Sequence, residues 1–196
     1  MKYYIRLATL ADKPLLTVLI EESVRGLSRE DYSTKQIEAA LATVFGVDTE
    51  LINDGTYFVI ETETDNKNAT REIAACGGWS KKKTLFGGDQ FSARESEELD
   101  PRTEAARIRA FFVHPDHARR GLGRMLLDHC EQAARAHGFT ALELVGTLPG
   151  VKLYREYGFV AGEPIQHDAG GGVMIEFIPM RKKLTDDGGM KKEMNA

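Results

Sequence analysis

Two cysteines in 196 residues, no surplus of positive charge, no long apolar run and no internal repeat narrow what the chain can be. Cys76 and Cys130 alone cannot build a metal cluster, and they read most simply as buried thiols in a reducing compartment. With 26 basic against 30 acidic side chains the net charge is −4, which argues against a dedicated nucleic-acid binder. No stretch approaches the roughly 20 apolar residues of a membrane span, and no amino-terminal apolar run resembles a signal peptide. A cytoplasmic setting with no membrane partner is therefore expected. What the chain does have, 42% hydrophobic and 29% charged residues, suits one α/β domain with a substantial core.

The most informative stretch runs from Ala106 to Gly138. Ala106 to Val113 is rich in β-branched and aromatic residues and ends at His114-Pro115, which predicts a strand stopped by a turn. From Leu122 the apolar positions, including Met125, Leu126, Cys130, Ala133 and Ala134, follow helical spacing, and Gly138 stands where a left-handed C-cap belongs. The strand thus feeds the helix through Asp116 to Gly123. Unpaired N–H groups and the helix dipole make such a junction receptive to phosphate. Gly121 and Gly123 offer close backbone approach, and Arg119, Arg120 and Arg124 add full charges. The Lys-Ser/Thr ending of a P-loop is missing, and Leu126 breaks the dinucleotide G-x-G-x-x-G pattern, so both of those readings are excluded.

Val113-His114-Pro115 followed by Arg119-Arg120-Gly121-Leu122-Gly123-Arg124 resembles the pyrophosphate-binding segment of the GCN5-related N-acetyltransferase (GNAT) family. The usual form there is Q/R-x-x-G-x-G/A after V-x-P. Ala118 occupies the first position here, so the charge must come from Arg119 and Arg120. Downstream, Leu153, Tyr154, Gly158 and Phe159 match a second segment of the family, while Thr147 and Gly150 stand where Asn and Ala are usual. The opening Ile5-Arg6-Leu7-Ala8-Thr9, with Asp12 beyond it, is similar too.

The resemblance implies an α/β fold of mixed α+β type, with a central, mostly antiparallel, twisted sheet of six to seven strands flanked by helices. It implies acetyl-CoA as co-substrate, no metal, and Phe111, Phe112, Val113, Arg119, Arg120, Gly121, Leu122, Gly123 and Arg124 as the residues that hold it. The acceptor would be a small-molecule or peptide amine, with no nucleic acid involved and a homodimer possible. Tyr154 would protonate the departing thiolate, and the Val113 N–H would stabilise the carbonyl oxygen. The plainer reading of Tyr154 is a core aromatic with a satisfied hydroxyl, and Tyr157 is expected to pack.

Along the chain, Tyr3 to Ala8 reads as a strand and Ala11 to Ser23 as a helix with Leu15, Leu16, Leu19 and Ile20 buried, then a Gly-Leu-Ser break. A second helix starts near Ser33 and ends at Phe45-Gly46. Strands follow at Thr56 to Glu61 and Glu72 to Trp79, joined by a polar hairpin, with Gly77-Gly78 marking a bulge or a close backbone approach. Residues 81–105 read as a long mobile loop, a lid or a disordered insertion. Thr140 to Val145 predicts a strand, Gly150 to Tyr157 a short helix, Phe159-Val160 a strand start and Val173 to Ile178 a closing strand. The domain is expected to span 1–180, with a disordered tail at 181–196.

The general base is the open position. Family members that use a Glu or His on the central strand place it where Arg107 or Arg109 stands here, and a guanidinium is no base near neutrality. Glu104, His114, Glu143 and a water chain are the alternatives. The arginines could hold an acidic acceptor, lower an ammonium's pKa or simply pair with surface carboxylates. His114 and His117 hint at a metal, but as a pair they read better as turn residues. An alternative of another class follows from the missing carboxylate: a non-catalytic acyl-CoA-binding sensor or regulatory module.

Overall fold

A computed structural model describes residues 2–62 and 72–184. Strand β1 (Tyr3–Leu7) leads through a 3-10 turn into α1 (Lys13–Leu27), which carries Pro14 in its first turn, where a missing N–H costs nothing. Helix α2 (Thr34–Thr43) is opened by a capping box in which the Gln36 N–H donates to Ser33 Oγ and the Ser33 N–H donates back to Gln36 Oε1. A one-turn helix, α3 (Thr49–Asn53), follows, capped by Asp48. Strands β2 (Tyr57–Thr62), β3 (Ile73–Ser80) and β4 (Ala106–Val113) precede α4 (Leu122–Ala136), and β5 (Ala141–Thr147) and α5 (Val151–Glu156) come next. The chain closes with β6 (Val160–Ala161), β7 (Ile165–Asp168) and β8 (Met174–Lys183).

The eight strands form one sheet in the order β1-β2-β3-β4-β5-β8-β6, with β7 also on β8. Every pairing is antiparallel except β4 with β5. Helices α1 and α2 cover one face, where Leu16, Leu19, Ile20, Val24, Ile37 and Ala40 join Val59, Cys76 and Phe177. On the other face Leu127, Cys130 and Ala134 of α4 pack with Trp79, Ile108, Leu142 and Leu144. Both cysteines are buried and free, and burial raises both thiol pKa values, Cys76 to about 12, which keeps them unreactive.

Several sequence expectations need correction. Leu15 is 56% exposed, because the buried stripe of α1 is Leu16, Leu19, Ile20, Ser23 and Val24. The helix also continues through Gly26, whose missing Cβ makes room for the Pro115 ring: a Cβ would sit 2.4 Å from Pro115 Cγ. Helix α3 and strand β7 were not anticipated, and β7 brings the sheet to eight strands where six to seven were expected. Strand β8 runs past the expected tail start at Arg181: Arg181, Lys182 and Lys183 pair with Glu143, Leu142 and Ala141, and Leu184 is buried. Residues 185–196 of that tail, and 63–71 of the expected β2–β3 hairpin loop, lie outside the described residues.

What positions the site is an irregularity in β4. Gly78 pairs with Arg109 and Cys76 with Phe112, so Gly77 alone faces both Ala110 and Phe111. This is a bulge whose extra residue lies on β4, and Ala110 takes the left-handed conformation, φ 56°, at a cost of about 1–2 kcal/mol. The Phe111 ring folds over Gly77, where a Cβ would come within 2.6 Å. Buried Tyr57 props the distortion, its hydroxyl 3.2 Å from both the Ala110 carbonyl oxygen and the Cys76 sulfur. Pairing between β4 and β5 is confined to Ala106–Leu142 and Arg107–Glu143, and beyond that the strands part.

Candidate functional site

A cleft of about 990 Å³ opens where β4 and β5 separate. Phe111, Phe112 and Val113 line one side, Leu144, Val145 and Thr147 the other, and the end of α1 borders it. Val113 N–H donates to Ser23 Oγ at 3.2 Å, so the amide expected to face a carbonyl oxygen points at a side chain of α1 that also lines the cleft.

At one end lies the loop before α4. Arg119 and Gly121 both adopt left-handed backbone conformations, φ 62° and 83°, which curls the chain just ahead of the helix start. A Cβ on Gly121 would meet nothing within 4 Å, so glycine is required there by conformation and not by space. Gly123 is different: its Cβ would come 2.6 Å from Leu153 Cδ2, so its small size serves the contact between α4 and α5 instead of ligand approach. Arg119, Arg120 and Arg124 are exposed around this point, and Arg119, Gly121, Leu122, Gly123 and Arg124 line the cleft. A helix start with its dipole, a left-handed curl and exposed guanidinium groups, of which Arg120 donates to Tyr3 Oη at 3.5 Å and Arg124 lies over the Tyr157 ring, make a geometry suited to phosphate oxygens.

Tyr154 of α5 sits in the cleft wall, 9% exposed, and its hydroxyl makes no hydrogen bond among the described residues. Burial pushes its pKa up, so the hydroxyl stays protonated across the working range of a protein. Gly150, a departure from the family pattern, is explained by this ring: a Cβ there would lie 2.9 Å from Tyr154 Cε2. Tyr157 also borders the cleft, donating to Asp128 Oδ1 at 2.9 Å and stacking on Phe159.

The two arginines of β4 pair with carboxylates, but the pairing is not a surface one. Arg107 contacts Glu143 at 2.8 Å with a side chain only 12% exposed. Arg109 is 1% exposed, paired with Asp48, whose side chain is fully buried, and it donates to the Gly87 carbonyl oxygen at 3.0 Å. Burial pulls the Arg109 pKa down while Asp48 opposes the shift. Arg94 completes the cluster, reaching Asp48 and Glu50 at 2.8 and 2.9 Å and the carbonyl oxygen of Gly88 at 2.9 Å.

Three of the base candidates lie elsewhere. Glu104 accepts from the Asp100 N–H at 2.8 Å, Glu143 belongs to Arg107, and His114 contacts Glu22 at 2.9 Å; none of them lines the cleft. The carboxylates that do line it, Glu30, Asp31 and Glu156, are exposed. Glu72, His114 and His117 offer metal-type atoms within 4.8 Å of one another. They do not fit an ion, because His114 Nδ1 accepts from the Asp116 N–H, which leaves its proton on the Nε2 that faces Glu22. The turn reading of these histidines agrees with that bond.

Sequence reasoning missed Ser23 and the far end of the cleft, where Phe45, Leu85, Phe86, Gly87 and Phe177 come together. A serine within the buried stripe of α1 was the one available signal for Ser23; the far end gave none, since its residues are distant in sequence.

The model of the Acetyltransferase (GNAT) family matches residues 22–159. No curated protein matches the chain. Among solved structures, it is similar to a GCN5-related N-acetyltransferase from Rhodopseudomonas palustris at 18% identity, covering 94% of this chain and 97% of that one, with a TM-score of 0.65. PaiA N-acetyltransferase from Thermoplasma acidophilum, in complex with coenzyme A, is similar at 15% identity over 93% and 99% of the two chains, TM-score 0.59. YncA of Salmonella typhimurium, a putative acetyltransferase with acetyl-CoA, is similar at 17% identity over 95% and 96%, TM-score 0.57. At these identities the likeness is one of fold.

Proposed function

The chain belongs to the acetyltransferase (GNAT) family, and we propose that it transfers the acetyl group of acetyl-CoA directly to an amine, with Tyr154 as the acid toward the departing thiolate. The observation that carries this reading is the shared cleft: the curled loop at Arg119–Gly121 with its helix start, the parted β4 strand and Tyr154 all border one space. The loop and Arg119, Arg120 and Arg124 take the pyrophosphate, and Phe111, Phe112 and Val113 run beside the arm that carries the thioester.

The amine attacks as the free base and forms a C–N bond while charge gathers on the carbonyl oxygen. The Val113 N–H stabilises that charge, with Ser23 Oγ giving up the bond it accepts at 3.2 Å. The C–S bond then breaks, and Tyr154 passes a proton to the sulfur. Its burial supports the acid role by keeping the hydroxyl protonated, and also makes it a weak acid, so holding the reactants together supplies most of the rate gain. Water entering from the exposed rim at Glu30 and Asp31 takes the proton from the nitrogen once the C–N bond has formed, and water returns one to the Tyr154 oxygen, restoring the hydroxyl. Segment 81–105 acts as the lid of the acceptor end, a reading supported by Leu85, Phe86, Gly87 and Gly88 lining the cleft.

Thiol release from acetyl-CoA, measured with and without added amines, tests the transfer. Amine-dependent release is expected, and Tyr154→Phe should lower kcat by about 10²-fold while leaving the KM for acetyl-CoA within about twofold. Unchanged kcat would remove Tyr154 as the acid. Binding of acetyl-CoA without release under any amine would favour the sensor reading, which the arginines at 107 and 109 support.

A further inference from the structure

The end of the cleft away from the arginine loop is an uncharged aromatic chamber. Phe45 stands 6.1 Å, centroid to centroid, from both Phe112 and Phe177, and Phe86 stands 5.6 Å from Phe177. Val44 and Leu85 complete the wall. Phe177 is 2% exposed, and the other three rings are half-buried at the cleft. One charged side chain, Arg109, lines this end, 1% exposed and paired with the fully buried Asp48, while half-buried His167 packs on Phe86 at 5.4 Å and on Phe177 at 6.1 Å without lining the cleft. Arg29, Glu30 and Asp31 also border the cleft, but they are exposed to water at its rim.

We infer that the acceptor is a primary amine carrying an apolar, ring-sized body and no second charge. This rests on the acetyl-transfer reading, which puts the acceptor at the end opposite the phosphate loop. A second ammonium or a carboxylate entering this chamber would lose its hydration and find no accessible partner, at a cost of several kcal/mol. An aromatic body gains by burial and by edge-to-face contacts with the surrounding rings. The same surroundings favour the neutral form of the reacting amine, which is the form that attacks. The chamber thereby does part of the work of the carboxylate that β4 lacks. Arg109 and Arg94 act as positioning residues: their bonds to the carbonyl oxygens of Gly87 and Gly88 hold the Phe86 segment against α3.

The test uses reaction products, so that it does not depend on turnover. With CoA at saturation, calorimetric titration compares N-acetylphenethylamine with N-acetylspermidine. The aromatic amide should bind at least about tenfold more tightly, and Phe86→Ser should erase about tenfold of its affinity without altering that for CoA. Phe86→Leu, a milder change, should keep apolar binding and lose part of the aromatic preference. Equal or tighter binding of N-acetylspermidine, no binding of the aromatic amide, or no change in either variant overturns the inference. Thiol release is read separately with phenethylamine and spermidine. Preferred binding of the aromatic amide with no release from either amine would sink the transfer reading and keep the chamber's selectivity. Faster release with spermidine would do the opposite.

Discussion

At one end of the cleft, consecutive residues from Arg119 to Arg124 supply exposed charge, two left-handed backbone positions and a helix start. At the other, Phe45, Phe86, Phe112 and Phe177 arrive from four separated segments and present no charge at all. The first end is a backbone device: its N–H groups point where local dihedrals send them, so a few neighbouring residues suffice. The second is a matter of shape, because apolar attraction has no direction and selects a ligand only through the walls that packing builds. It depends on the buried cluster of Asp48, Arg94 and Arg109, which ties the segment after β3 to α3 and β4.

The contrast can be broken most sharply at Arg109. Arg109→Leu leaves the fully buried Asp48 carboxylate with Arg94 as its one arginine, and stability should fall by about 3 kcal/mol. Thermal unfolding should then show a midpoint about 10 °C lower, with acetyl-CoA affinity of the folded protein retained. A loss under about 1 kcal/mol would mean that the far end stands without its ion cluster. The opposite perturbation, Arg119→Glu with Arg124→Glu, should weaken acetyl-CoA by about 100-fold and change stability by less than about 0.5 kcal/mol. Titration with CoA lacking the pyrophosphate should abolish the difference between variant and parent.

A smaller effect tests the link between the two ends. Gly123→Ala drives a methyl toward Leu153 Cδ2, which can yield, so we expect about 1 kcal/mol of destabilisation and a severalfold lower kcat as α5 shifts Tyr154. Unchanged kcat would show that α5 is not positioned from α4. The smallest effect lies away from the cleft. Arg6 hydrogen-bonds Asp12 at 2.8 and 2.9 Å and draws its carboxyl down to about 2. A depressed folded-state pKa stabilises the protein above the unfolded value, near 4, and that contribution is lost as pH falls through 2. Arg6 is 37% exposed, so Asp12→Asn should cost only about 1 kcal/mol at pH 7 and nothing at about pH 1, as read by denaturant unfolding at both.

The strand-turn-helix of 106–138 was legible because period, punctuation and charge agree within one contiguous stretch: β4 and α4 begin and end within two residues of expectation. The departures at Thr147 and Gly150 left Tyr154 visible, and the structure supplies the steric reason for Gly150. Leu15 misled because a leucine beside Leu16 fits a helical stripe equally well until the sheet fixes which face is covered. The ends of β8 were hidden by Arg181, Lys182 and Lys183, whose charges suggested a tail although their backbone pairs with β5. Arg109 read as a surface cation or a substrate ligand because nothing near it in sequence announces Asp48.

The sequence by itself determined the local devices: the strand, turn and helix of 106–138, the left-handed close of α4 at Gly138, and the family that this stretch marks. Each follows from dihedral preferences and hydrogen bonds among near neighbours. Only the tertiary structure decided where β4 leaves β5, which way Ser23 and Arg109 face, and that four distant phenylalanines close one chamber. Those outcomes rest on burial and ion pairing between residues far apart in the chain, where partners are chosen by the packing of the whole sheet and not by any stretch of it.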